Sequence, residues 1–153
     1  MRNALVAVAF VVFVAGVIVH AEDDPFAGTW KYSYSKSTHD EESAVKMTRI
    51  LKPIEGGMKF TRDAIDAEGK PSHSVYIIKF DGKDYPPEGG KGPTNAYRRI
   101  DRNTMECIVK FPGGKMLKQI LVLSPDGKTF RLTETGNYQS GKPANHVSVF
   151  EKQ

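Results

Sequence analysis

The sequence predicts an all-β fold, an antiparallel up-and-down meander of about eight to ten strands that closes into a barrel. The first observation is the stretch 104–135, where Pro-Gly-Gly-Lys and Pro-Asp-Gly-Lys turns separate three runs rich in β-branched and aromatic residues. The second is the apolar–polar alternation within the first and third runs, which gives each strand one buried and one solvated face. The third is the recurrence of turn signals about every 10 to 14 residues without an amphipathic helix. A β-sandwich is the alternative that these observations leave open.

The middle run of that stretch, 116–123, is apolar on both faces. Ile120 and Val122 share one face, and three leucines share the other. Strands that are buried on both faces read as continuous apolar runs. We therefore expect this strand to be the most enclosed of the sheet.

Length and composition favour one globular domain. The chain has 153 residues, of which 39% are hydrophobic and 26% are charged, and its formal net charge is +4. These values are ordinary for a protein with a single core. The positive charges form no cluster or stripe, which argues against nucleic acid as a partner. Cys107 is the only cysteine, and its place on an apolar strand face predicts a buried thiol.

Residues 1–21 are predicted to be a signal peptide. Arg2 precedes an uninterrupted run of apolar or small residues from Ala4 to Val19, and Val19-His20-Ala21 resembles a cleavage site. A run of about 16 residues is shorter than a membrane-spanning helix requires, although an uncleaved anchor is the alternative. The expectation is a single β-barrel domain over 22–153, secreted or periplasmic, with no stable membrane span after cleavage.

The other strands follow the same alternating pattern. The first carries Trp30, Tyr32 and Tyr34 on one face, and Gly-rich segments at 88–93 and 136–142 are predicted to be the least constrained loops. The remaining predicted strands cover 45–54, 58–65, 72–80, 95–100 and 143–152.

The beginning of the mature chain resembles a known group of barrels. Gly28-Thr29-Trp30 opens the first strand soon after an apolar residue, as in lipocalins and intracellular fatty-acid-binding proteins. This resemblance implies a lipocalin-like (calycin-like) closed barrel in which Trp30 closes one end. The short polar segment 38–43 departs from the two-helix lid of fatty-acid-binding proteins.

Over the whole mature domain the chain also resembles a group of uncharacterised exported bacterial β-barrel proteins. The shared features are Phe-x-Gly-Thr-Trp-Lys at 26–31, Asp-Gly-Lys-Asp-Tyr-Pro at 81–86, Arg-Ile-Asp-x-Asn-Thr at 99–104 and a final Phe-Glu-Lys at 150–152. That resemblance implies the fold and export, and it implies no reaction or ligand.

No catalytic or metal-binding motif is present in the sequence. His73 and His146 are expected to be separate surface histidines, and the His39-Asp40-Glu41-Glu42 segment a solvated acidic loop. Without a recognisable nucleophile and base, the expectation is a non-enzymatic protein with no cofactor and no metal. A secreted hydrolase or isomerase with an unrecognised site is a further alternative.

The function expected from the sequence is binding of a small hydrophobic or amphipathic ligand inside the barrel, by a monomer. The alternative is a protein-interaction or envelope-structural module with a filled core. Tyr138 is also a candidate gate, because any cavity is expected to open beside the 136–142 loop. The candidate lining residues are Trp30, Tyr32, Phe60, Ile77, Tyr97, Met105, Val109, Ile120, Phe130 and Tyr138.

Overall fold

The structure is a computed structural model that describes residues 24–40 and 43–153. The predicted signal peptide, 1–21, lies outside the described residues. The described part is all-β, with one short 3-10 turn at Tyr34–Lys36. The strands are β1 Gly28–Tyr32, β2 Lys46–Ile54, β3 Gly57–Ile65, β4 Pro71–Ile78, β5 Thr94–Asp101, β6 Thr104–Lys110, β7 Met116–Leu123, β8 Thr129–Asn137 and β9 Pro143–Lys152.

These nine strands form one antiparallel sheet in the order β4-β3-β2-β1-β9-β8-β7-β6-β5. The first and last strands are neighbours, with Trp30 opposite Lys152 and Tyr32 opposite Phe150. The sheet curls into a nearly closed barrel, so the predicted all-β meander is confirmed and the sandwich alternative is not observed. The alternation of buried and exposed residues in most of the strands follows from this geometry, because one face of a curled sheet lines the interior.

A seam between β4 and β5 interrupts the barrel. Every hairpin reverses the chain, so β4 ends at the same end of the barrel as the β2–β3 turn, and β5 starts at the opposite end. The two strands run in the same direction and are joined by the segment 79–93, which runs along the seam from one end of the barrel to the other. Its contacts are sparse: isolated bridges pair Asp81 with Arg98 and Tyr85 with Asn95, and Glu88 donates its backbone N–H to the Val75 carbonyl at 2.8 Å.

Aromatic packing fills the end of the barrel at which the chain enters β1. Trp30 is fully buried, and its indole Nε1–H donates to the Phe26 carbonyl at 2.9 Å. Its ring centroid lies 4.9 Å from that of Phe130 in an edge-to-face arrangement, and Phe130 stacks on Phe150 at 4.6 Å. Such ring contacts stabilise the fold beyond the burial of apolar surface. We call this packed region the closed end.

Three details of the strand predictions are wrong. The outer face of β7 is not enclosed, because Val122 is 44% exposed and the half-buried Ile120 lies on that outer face. Ile77 also points outward, at 37% exposed. Tyr34 does not continue β1: the chain turns at that residue, and its ring is exposed. On β4 and β7 the sequence offered apolar residues of both parities, and the sheet buried only one set. Tyr34 shares the parity of Trp30 and Tyr32, but β1 ends at Tyr32.

None of the helical structure in the described residues is long and apolar enough to cross a membrane.

Candidate functional site: a polar cavity in the open half of the barrel

A cavity of about 680 Å³ occupies the half of the barrel opposite the closed end. The wall built from β5, β6 and β7 is mostly aromatic and aliphatic, with Asn95 and Gln119 as polar members, whereas the walls built from β2, β3, β8 and β9 carry the charged groups Arg49, Arg62, Glu134 and His146. The apolar wall includes Tyr97, Val109, Phe111 and Leu117. The polar lining of the strands includes Arg49, Arg62, Asn95, Gln119, Glu134, His146 and Ser148, and Ser43, Ser72, His73, Ser74, Glu88 and Lys91 also border the cavity.

The residues predicted to line a cavity fall into three groups. Tyr32, Phe60, Tyr97, Val109 and Tyr138 border the cavity. Trp30, Met105 and Phe130 are fully buried, and they pack within the hydrophobic core at the closed end instead. The expectation that Ile77 and Ile120 face the interior is wrong, because both lie on the outer face of the barrel.

Arg49 is the most deeply buried cation of the cavity, with only 5% of its surface exposed. It lies on β2 between Met47 and Leu51, on the inward face. Its guanidinium carbon sits 4.8 Å from the Phe150 ring centroid and 5.4 Å from that of Phe60. Its Nε–H points at the sulfur of Met47 at 3.4 Å, and thioether sulfur is a weak acceptor. Cation–π contacts therefore replace the carboxylate partner that a buried arginine ordinarily has.

Arg62 stands directly opposite Arg49, because the two are register partners in the β2–β3 ladder. Its Nη1 donates to the Ser72 hydroxyl at 3.1 Å. Burial lowers the pKa of Arg62, and the like charge of Arg49 lowers it further. The cavity therefore holds two adjacent cations. Among the described residues, 24–40 and 43–153, no carboxylate lies at ion-pair distance from either of them.

His146 is the centre of a second polar group on the β8 and β9 walls. It is buried, and its Nε2 lies 2.8 Å from Glu134 Oε2. The Gln119 amide donates to Glu134 Oε1 at 2.6 Å. The hydrogen bond to Glu134 raises the pKa of His146, although burial opposes that shift. Burial raises the pKa of Glu134, but the bond and charge of His146 outweigh it and leave that pKa below its usual value. The pair is therefore stable as imidazolium and carboxylate.

The other side of the His146 ring is joined to the rim of the barrel. Nδ1 lies 3.1 Å from Asp40 Oδ2 and 3.1 Å from the Tyr138 hydroxyl, and that hydroxyl donates to Asp40 at 3.0 Å. The expectation that His146 is a surface histidine is wrong. His73, in contrast, is exposed and pairs with Asp63. Asp40 contacts the barrel and not solvent alone, so the picture of a merely solvated acidic loop is also wrong for this residue.

Cys107 is fully buried on the inner face of β6, as predicted. Burial raises the pKa of its thiol to about 12, with the hydrogen bond to Tyr97 opposing the shift. A thiol with that pKa carries almost no thiolate at neutral pH, and the thiolate is the reactive form. Its role in the barrel is packing.

Within the described ranges, no group of three or more His, Cys, Asp or Glu side chains is placed to hold a metal ion. The two carboxylates at His146 lie on opposite ring nitrogens, so they do not converge on one point. This group acts as a hydrogen-bonded network that joins β8, β9 and the loop before β2.

A scan against protein-family models and a search of curated proteins both find no match to this chain.

The polar lining is the part of the site that sequence reasoning missed. Strand parity contains a signal for this polar lining. Gln119 shares its parity with Leu117 and Leu121, and Glu134 shares its parity with Phe130 and Leu132. A polar residue that interrupts an inward apolar series marks either a solvated end or a polar interior. The structure shows a polar interior, because the interruptions on several strands fall at one level of the barrel.

Proposed function

We propose that the protein is an exported, non-enzymatic binding protein that holds a small amphipathic molecule inside its barrel. The observation that carries this proposal is the cavity of about 680 Å³ in the open half of the barrel. Pockets that enclose small organic molecules commonly have volumes of roughly 300 to 1,000 Å³.

The division of the cavity walls favours an amphipathic ligand over a purely hydrophobic one. An apolar ring or chain would pack against Val109, Phe111 and Leu117 on the β6 and β7 side. On the opposite side the same molecule would meet Arg49 and Arg62. A wholly apolar ligand would cover both guanidinium groups and leave most of their N–H donors without an acceptor, because Arg49 has only the Met47 sulfur and Arg62 only the Ser72 hydroxyl, which is costly.

Binding without catalysis is supported by the state of the titratable groups. His146 already has Glu134 on one ring nitrogen and Asp40 on the other, so it has no free nitrogen to serve as a general base. The Cys107 thiol, with a pKa of about 12, is a poor nucleophile at neutral pH. A filled-core interaction module fits less well, because a filled core would leave no such space within the barrel.

Export is proposed from the sequence of residues 1–21, with cleavage near Ala21. Intact mass measurement of the protein recovered from the medium or periplasm of an expressing bacterial host tests this. A mass that corresponds to a chain starting near Glu22 is expected, and a full-length chain retained in the membrane fraction would contradict it.

Binding is tested with N-phenyl-1-naphthylamine, an uncharged probe whose fluorescence rises in apolar surroundings. We expect saturable binding of about one probe per protein. Val109→Trp should weaken it strongly by placing an indole ring in the apolar side of the cavity, because Val109 borders the space. Ile108→Trp is the matched control, since the neighbouring residue lies on the opposite face of the same strand. Equal binding by the two variants would contradict a site in the cavity.

A further inference from the structure

We infer that the paired guanidinium groups of Arg49 and Arg62 form an oxyanion seat that prefers a doubly charged head group, such as a phosphate monoester, on the bound organic molecule. This inference rests on the proposed function, because it assigns a chemical class to the ligand of the same cavity.

The register of the β2–β3 hairpin is the first argument. Arg49 and Arg62 are direct cross-strand partners, and like charges placed directly opposite each other destabilise a sheet. Nearly all other inward residues of these two strands are apolar or small: Leu51 and Met47 on β2, and Phe60 on β3. An apolar pair at this level would fold at least as well, so the two arginines have no evident role in stability.

The absence of a counterion from the described residues is the second argument. Arg49 is 5% exposed, and of its five N–H groups only Nε–H has an acceptor there, the weak one at Met47. Arg62 has one hydroxyl acceptor, on Ser72. The nearby carboxylate, Glu134, is already bonded to His146 and Gln119. Most guanidinium donors in the cavity are therefore available to a ligand.

Packing fixes the Arg49 guanidinium in place. Its central carbon is covered by the rings of Phe60 and Phe150, at 5.4 and 4.8 Å. These contacts restrict the movement of the group within the cavity wall. A preorganised planar fork is suited to carboxylate and phosphate oxygens, which it binds in bidentate fashion.

The charge of the ligand's head group determines which anion the two arginines prefer. One carboxylate neutralises a single guanidinium and leaves the other cation without a counterion beside it. A phosphate monoester carries close to two negative charges above a pH of about 6 and offers three acceptor oxygens. It can therefore neutralise both arginines at once. Binding then also relieves the repulsion between Arg49 and Arg62, which favours the complex.

The test compares three ligands that share one ring system: 1-naphthol, 1-naphthoate and 1-naphthyl phosphate, titrated calorimetrically at pH 7.5. We expect the phosphate to bind at least about tenfold more tightly than the neutral alcohol, with the carboxylate between them, since charge-assisted hydrogen bonds are roughly twice as strong as neutral ones. Equal affinities for the three would overturn the inference.

Two variants locate the effect. Arg49→Met and Arg62→Met should each weaken phosphate binding about tenfold or more while changing naphthol binding less than about twofold. Arg131→Met is the matched control, because Arg131 lies exposed on the outer face of β8, and it should keep the wild-type preference. A preference that survives in both cavity variants would place the anion elsewhere and overturn the inference.

Thermal unfolding supplies a readout that does not depend on affinity ranking. Without ligand, Arg49→Met should melt at or above the wild-type temperature, because it removes a buried cation and its repulsion with Arg62. With 1-naphthyl phosphate the wild-type Tm should rise and that of the variant should not. A ligand-free variant that melts well below wild type would make Arg49 structural and count against the seat.

The failures of the two proposals are distinguishable. If N-phenyl-1-naphthylamine binds at the cavity and the naphthyl ligands show no head-group preference, only the oxyanion seat is wrong. If the neutral probe and all three naphthyl compounds fail to bind, the proposed function itself is wrong.

Discussion

Asp40 Oδ2 lies 3.1 Å from His146 Nδ1, so the segment before β2 is fastened to the inner wall of β9. The contact spans most of the chain in sequence. On its other side the same imidazole ring is bonded to Glu134. The side chain of His146 therefore links the loop before β2, at the rim of the open half, to the walls formed by β8 and β9.

That link predicts how stability depends on pH. The pKa of His146 is raised above its ordinary value of 6.5, so its stabilising contribution is complete below about pH 6.5 and is lost as pH rises through the folded-state pKa. The pKa of Glu134 is lowered from 4.5, so its contribution is present above that pH and is lost as pH falls. We expect maximal stability between the two limits.

Urea unfolding of wild type and His146→Gln from pH 5 to 9 checks this. The difference in unfolding free energy between the two should shrink as pH rises above 6.5. His73→Gln is the control, because its pairing with Asp63 is exposed and surface pairs contribute little. A constant difference between wild type and His146→Gln across the range would show that His146 does not titrate in the folded barrel.

The closed end should depend strongly on its tryptophan. Trp30 is fully buried and packs edge-to-face on Phe130 at 4.9 Å. Trp30→Ala should lower the unfolding free energy by about 3–5 kcal/mol, the usual cost of deleting a buried aromatic side chain. Tyr34→Ala, at a ring that is 49% exposed, should cost less than about 1 kcal/mol. Similar losses in chemical denaturation would mean that Trp30 does not hold this end together.

Tyr138 is predicted to control ligand exchange more than stability. Its hydroxyl lies 3.0 Å from Asp40 and 3.1 Å from His146, and Tyr138→Phe removes both contacts while keeping the ring. Stopped-flow release of N-phenyl-1-naphthylamine should become several-fold faster, with a stability loss of about 1 kcal/mol.

Tyr85→Phe is the matched comparison for this exchange, because the Tyr85 hydroxyl donates to Asp81 at 3.0 Å on the segment that climbs the seam. If Tyr85→Phe accelerates release and Tyr138→Phe does not, the ligand leaves through the seam and Tyr138 is not a gate.

Gly136 is predicted to be irreplaceable in β8. Its φ of +120° and the close approach of the Met116 carbonyl, 2.4 Å from the position of an added Cβ, leave no room for a side chain. Gly136→Ala should cost more than the roughly 1–3 kcal/mol of backbone strain alone. Gly113→Ala, with φ +90° and open space around it, should show only the strain. Equal losses in thermal unfolding would contradict the proposed clash.

The strands and most turns were predictable because they depend on local chemistry. Period-two alternation and the Pro-Asp-Gly turn at 125–127 define the β7–β8 hairpin without reference to the rest of the chain. The inward parity of β4 and β7 was harder, because Ile77 and Ile120 are as hydrophobic as their buried neighbours. Only the curvature of the whole sheet decides which set is inside.

The polar interior was not predicted because the inward faces were assumed to be apolar. On three different strands a polar residue interrupts the inward-facing series, at Arg49, Glu134 and His146. In the sequence, one such residue is easily taken for a strand end or a solvent-facing position. The ladder registers place Glu134 beside His146 and Arg49 beside Arg62, and only the curled sheet brings the two pairs to one cavity. The bond of Asp40 to His146 depends on loop conformation, which no local pattern specifies.

The seam between β4 and β5 has a consequence for the order of the chain. All ladders but one join strands that are consecutive in sequence, and the exception, β1 with β9, joins the two ends of the domain. Gln153 donates its backbone N–H to the Thr29 carbonyl at 3.0 Å, so the ends already touch. In a circular permutant that joins Gln153 to Asp24 and opens between Gly89 and Gly90, every ladder would join consecutive strands, and only the isolated bridges of the seam would connect its two ends. Its lower contact order predicts faster folding than the natural order, in which the last ladder must close across almost the entire polypeptide.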